Sequence, residues 1–133
     1  MGGVFTDTAS LMAAIQNEMK SAMTEASLQS FIKAHENAND FYSQGKPSSY
    51  KRTETYGTAP NTTGVTGGGN HLATEIYMEE SGHGYRTGTF SAREVWEAAE
   101  NNTAGVLGKS GRWAQTEEDT QRIFKEVFSS HFD

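Results

Sequence analysis

The clearest alternation of apolar and polar positions lies near the start of the chain. Leu11, Ile15, Met19, Met23 and Ala26 recur at spacings of three and four, with Met12, Ala22, Leu28, Phe31 and Ile32 beside them. That spacing gathers side chains on one face of a helix. It predicts a long helix over residues 8–35 whose stripe, methionines included, packs as core, since Met fills irregular gaps well. Glu18, Lys20, Glu25 and Lys33 fall mostly off the stripe. Asp7, Thr8 and Ser10 each offer a side-chain oxygen to the orphan amides of the first turn.

From residue 36 the helical period fades into polar residues, Gly45 and Pro47. Pro47 pushes Lys46 toward extended backbone. Residues 50–56 carry Thr and Tyr at β-favouring density and predict a strand. Residues 57–70, with Pro60, Gly57, Gly64 and the run Gly67, Gly68, Gly69, read as a loop and the most mobile part of the molecule. Over 71–78 the alternation is clean. Leu72, Thr74, Ile76 and Met78 share one face, and His71, Ala73, Glu75 and Tyr77 the other, which predicts a half-buried strand. Residues 81–84 (Ser-Gly-His-Gly) read as a turn, and 85–90 as a strand pairing back.

Ser91 followed by Glu94 makes a capping box, with Phe90 and Val95 as the hydrophobic staple across it. The helix so started should run to about Asn101 and bury Val95, Trp96 and Ala99. Residues 105–111 read as a loop with Val106 and Leu107 turned inward. Thr116 is expected to cap a last helix, with Glu117, Glu118 and Asp119 at its positive end. Ile123, Phe124, Val127, Phe128 and Phe132 form its apolar face. This order predicts an α+β fold in a single domain, a long N-terminal helix and two C-terminal helices packed on a small antiparallel sheet. A chain of 133 residues is large enough to close one such core.

Charge and composition narrow the function. Seventeen acidic residues against eleven basic give a formal net charge of -6. Phosphate binding needs clustered Lys and Arg, and the densest basic cluster, residues 46–52, is too thin, so no nucleic-acid binding is expected. There are no cysteines, which removes disulfides, thiol nucleophiles and thiolate metal sites. No apolar run approaches the roughly 20 residues of a membrane span, so no membrane partner is expected. The first residues lack the basic start and apolar stretch of a signal peptide. Met1-Gly2 with Thr6 matches a myristoylation pattern, and Asn61-Thr62-Thr63 and Asn101-Asn102-Thr103 match glycosylation sequons. Patterns this short recur by chance and carry no weight here.

Catalytic and cofactor chemistry is not legible. His35, His71, His83 and His131 lie in four different elements. His71 and Glu75 share a strand face, but a metal site needs three or four converging ligands. The stretch Gly64-Val65-Thr66-Gly67-Gly68-Gly69 lacks the Gly-Lys-Ser/Thr ending of a phosphate loop and has no helix pattern directly behind it. No Gly-x-Ser-x-Gly elbow occurs. No catalytic residue, metal or cofactor is therefore expected, and the protein reads as no enzyme. Trp96 and Trp113 each lie beside a helix signal, which favours core packing. Interface anchoring is the alternative reading, because Trp is over-represented at interfaces.

The stretch Phe41-Tyr42-Ser43 followed by Pro47-Ser48-Ser49-Tyr50-Lys51-Arg52-Thr53 resembles a pattern of the neck and tail-completion proteins of long-tailed bacteriophages, also labelled head-tail joining or minor capsid proteins. Their layout is a long N-terminal helix, a Pro-x-x-Tyr-x-Arg-Thr segment opening a strand, a Gly-rich loop, an antiparallel sheet and C-terminal helices. In that pattern Gly and an aliphatic residue follow the Thr, where this chain has Glu54 and Tyr56. The carry-over is therefore limited to Tyr50, Arg52 and Thr53, as residues fixing the strand and its junction with the long helix. The resemblance implies a non-enzymatic virion subunit, made in the host bacterial cytoplasm. It would form a homo-oligomeric ring and contact neighbouring neck and tail proteins. Val65, in the expected loop, joins Trp96 and Trp113 as candidate assembly residues. A small inhibitor or adaptor gripping one host protein is the competing reading, and an enzyme with a site built from scattered residues the third.

Overall fold

A computed structural model of the chain describes residues 4–44, 55–68, 71–79, 92–103 and 108–132. Helix α1 runs over Thr8–Asp40. Asp7 is its N-cap, its Oδ1 accepting from the Ser10 amide at 2.7 Å and its Oδ2 from the Ser10 hydroxyl at 3.0 Å. Neither Gly nor Pro interrupts the segment, so the helix continues past the predicted end at residue 35. The polar residues beyond that point are not all solvated, since Asn37 is buried, and Ala38 beside it is buried too.

The buried face of α1 is not the methionine stripe. Ala22, Ala26, Ser30, Ala34 and Ala38 form a row of small residues at every fourth position, and all are buried. Met19, Met23 and Ile15 are half-buried, while Leu11, Met12, Leu28 and Ile32 are exposed. The cause is the neighbour. Helix α4, Arg112–Phe132, lies antiparallel along α1, and small side chains let two helix backbones approach closely. Ile123 and Val127 of α4 pack on Ala22 and Ala26, flanked by Phe124 and Phe128. Further along, Asn37 Nδ2 donates to Thr116 Oγ1 at 3.1 Å and to Asp119 Oδ2 at 2.9 Å. At the α1 C-terminus, Asp40 accepts from Lys109 Nζ and Arg112 Nη1, each at 3.0 Å.

The last helix thus begins one turn before the predicted Thr116. That threonine is buried and donates back to the Arg112 carbonyl at 2.9 Å. The cap comes from outside the helix. Glu100 accepts the Trp113 amide at 2.8 Å on Oε1 and the Ala114 amide at 2.9 Å on Oε2, a carboxylate at the helix's positive end.

Residues 57–68, the described part of the predicted loop over 57–70, contain two strands. After a single helical turn, α2 (Thr55–Thr58), strands β1 (Pro60–Thr62) and β2 (Thr66–Gly68) pair antiparallel with β4 (Ile76–Met78) and β3 (His71–Ala73). Thr62 faces Ile76 and Thr66 faces Ala73, so Thr63, Gly64 and Val65 stand opposite only Thr74 and Glu75. One extra residue in one strand is a β-bulge, and Gly64 absorbs it at φ 70. Gly67 has φ 93, and a Cβ there would run into the His71 carbonyl. The glycines that suggest a loop are what this hairpin requires.

The predicted alternation holds over 71–76 and not beyond. Leu72, Thr74, Ile76 and Met78 are half-buried and His71, Ala73 and Glu75 exposed, but Tyr77, predicted on the exposed face, is half-buried as well. The partner of this stretch, however, is the preceding glycine-rich segment. The predicted partner strand at 85–90 lies outside the described residues, as do 50–54, His83, Phe90, Ser91, Val106 and Leu107. Tyr56, predicted to end a strand, sits instead in α2.

Helix α3 spans Ala92–Asn101 and closes with Asn102 at φ 57, where the Thr103 amide donates to the Ala98 carbonyl at 2.9 Å. It buries Trp96, Ala98 and Ala99, with Val95 half-buried. Trp96 and Ala99 join Ala38, Phe41, Tyr56 and Ala59 in one core cluster, and Tyr42 and Met78 pack against it. A long N-terminal helix, two C-terminal helices and a small antiparallel β region make this an α+β fold.

Candidate functional site

The hairpin and α4 both stand on α1 and leave a cleft of about 620 Å³ between them. The hairpin wall is mainly its half-buried face, Leu72, Thr74 and Ile76, which strand alternation turns inward, with Ala73 at the edge. The opposite wall is a stripe of α4 from Trp113 through Glu117 and Gln121 to Phe124, adjacent to the face that packs on α1. Met23 of α1 also lines it. Ser27 and Thr74 share a hydrogen bond of 2.8 Å between their hydroxyls, which ties the hairpin to α1 and fixes the width of the opening.

Among the described residues the lining mixes apolar groups with Thr74, Thr116, Thr120 and Gln121, and Glu117 is its single ionisable group. Glu117 is exposed and has no ion-pair partner among the described residues. Trp113 is half-buried at one end, held in place by the Glu100 carboxylate on its amide. Such a groove accepts aliphatic side chains and favours a positive charge.

A second polar cluster lies at the far end of α4. The imidazolium of His131 donates from Nδ1 to Glu18 Oε1 at 2.7 Å and from Nε2 to Glu25 Oε2 at 2.6 Å. The bond to Glu25 and then that to Glu18 hold the imidazole pKa above its ordinary value, burial opposing them. Asp119, nearer the start of α4, is buried, and burial pushes its carboxyl up. Hydrogen bonds from Asn37 and Gln115 outweigh that and leave the pKa below the usual carboxylate range. Neither cluster gathers three metal-ligating groups in a usable geometry, and no other group among the described residues does. His71 is exposed on the hairpin, and the His35 ring donates to the Gly57 carbonyl at 3.2 Å.

The sequence candidates separate. Tyr50, Arg52 and Thr53 lie outside the described residues. Val65 is half-buried at the bulge and Trp96, 6% exposed, is core. Trp113 alone lines the cleft, while Glu117, read from sequence as a helix-start carboxylate, turns out to be its charge. Glu117 and Gln121 were recoverable only as positions four and eight after Trp113, and nothing local says that a hairpin faces them. Among the described residues no helix is long and apolar enough to cross a membrane. No protein-family model, curated protein or solved structure matches the chain.

Proposed function

We propose that this chain is a non-enzymatic structural subunit of a tailed-bacteriophage virion, a neck or tail-completion protein that assembles with copies of itself into a ring between head and tail. The observation that carries the assembly reading is the outer side of α1. Leu28 and Ile32, 58% and 50% exposed, stand one turn apart on a helix whose opposite face is already packed. Large aliphatic side chains held in water on a long rigid helix are what a neighbouring subunit would cover. The head-tail assignment rests on the sequence resemblance. Of the layout it implies, the long N-terminal helix, an antiparallel β region and C-terminal helices have counterparts here, while the glycine-rich segment is strand where the layout has a loop.

Light scattering on the purified chain tests the reading. The mass should rise above the 14.5 kDa of one chain as concentration increases. The chain should also be found by peptide mass spectrometry in purified virions. A mass of one chain at every concentration would overturn self-assembly and favour an adaptor or inhibitor, for which the cleft would be the grip.

A further inference from the structure

Two of the uncovered surfaces among the described residues differ in kind. One is the concave cleft between the hairpin and α4. The other is convex, the row Lys20, Thr24, Leu28 and Ile32 on α1, each four residues after the last and each exposed. Rows at this spacing form the ridges by which helices enter grooves. Their lengths agree. At a rise of 1.5 Å per residue the row from Lys20 to Ile32 spans about 18 Å, and the α4 wall from Trp113 to Phe124 about 16 Å.

The charges also match. Among the described residues Glu117 is the only ionisable group lining the cleft, and Lys20 the only one in the row from Lys20 to Ile32. Neither has an ion-pair partner among the described residues; of the other described cations Lys33, Arg93, Lys109, Arg112 and Arg122 each have a carboxylate, and Lys125, on α4 itself, does not. Leu28 and Ile32 supply the aliphatic groups that the Leu72, Ile76 and Trp113 lining accepts.

We propose that the outer ridge of α1 in one copy seats in the hairpin–α4 cleft of the next, with Leu28 and Ile32 in the groove and Lys20 paired with Glu117. The inference rests on the self-assembly reading and deepens it by naming the contact. Met23, which lines the cleft, and Leu28 lie roughly 140° apart around α1, taking 100° per residue, so each copy offers the ridge on one side and the cleft on another. Such a contact is heterologous. It is not consumed by pairing two copies, and it closes into a ring when the rotation between copies permits.

Single-surface variants test this. Ile32→Asp spoils the ridge and keeps the cleft. Glu117→Lys combined with Gln121→Arg spoils the cleft and keeps the ridge. All three positions are exposed, so unchanged melting temperatures serve as the folding control, and Leu28→Asp is a second ridge variant should Ile32→Asp melt early. Sedimentation velocity should show association weakened about tenfold or more for each variant alone. Mixing a ridge variant with the cleft variant should then give pairs of two chains and nothing larger, because one intact ridge meets one intact cleft. The charge swap Lys20→Glu with Glu117→Lys should recover association that either single change weakens. If the parent oligomerises and the variants associate as it does, the docking is wrong and self-assembly stands. A failure of the weakened variants to pair on mixing would overturn the head-to-tail arrangement. A parent chain monomeric at every concentration overturns both, whatever other protein then occupies the cleft.

Discussion

His131 faces two carboxylates with one ring, and only the imidazolium has an N–H for each of them. Neutral imidazole keeps a single donor and turns a lone pair toward the other carboxylate. With the folded pKa raised, the contribution of His131 to stability is fully present below the unfolded value of about 6.5 and fades as pH rises through the folded pKa. The difference in denaturant midpoint between the parent and His131→Gln should therefore be largest below the unfolded value of about 6.5 and shrink as pH rises through the raised folded pKa. A difference constant across that rise would mean that the ring does not titrate between Glu18 and Glu25. Buried polar residues on the α1–α4 seam divide in the same residue-level way. The Ser30 hydroxyl is fully buried with no hydrogen-bond partner among the described residues, so Ser30→Ala should be neutral or stabilising. Asn37→Ala, which strips a donor from both Thr116 and Asp119, should cost about 1–3 kcal/mol. Urea melts decide it, and equal losses at the two sites would contradict the assignment of partners.

At the scale of elements, the seam between α1 and α4 depends on smallness. Ala26→Leu should push α4 away and cost about 1–3 kcal/mol, whereas Met19→Leu at the half-buried edge should change stability little. Comparable midpoints for the two variants would show that the alanine row is not the contact. Helix periodicity, legible in the sequence, places α1, α3 and α4 because those segments carry their own apolar rows, but of the predicted caps only Asp7 of α1 is seen, since α4 is capped from outside by Glu100. It misjudges which row of α1 is buried. Hydrophobicity scales favour Leu, Ile and Met, but close antiparallel packing selects Ala and Ser. The hairpin was half legible. Alternation over 71–78 marks one strand, while Gly64 and Gly67 hide the other, since residues that permit a bulge or a positive φ also permit a loop. The cleft was the least legible feature. Trp113 is visible in the sequence as an aromatic, but its neighbours Leu72 and Ile76 come from a segment some forty residues away.

For the whole molecule, the fold puts its resources into one long helix that serves two sides. Its small-residue side holds α4, and the hairpin is tied to it by Ser27 and Thr74. Its other side keeps Leu28 and Ile32 in water. A ring subunit needs two such unlike, mutually fitting surfaces on a core that stays folded without its neighbours. Native mass spectrometry over a concentration series tests this central claim most directly. The account predicts masses that climb with concentration and stop at one fixed multiple of 14.5 kDa, the mark of a closed ring. A spectrum holding only the 14.5 kDa chain from the lowest to the highest concentration would contradict it.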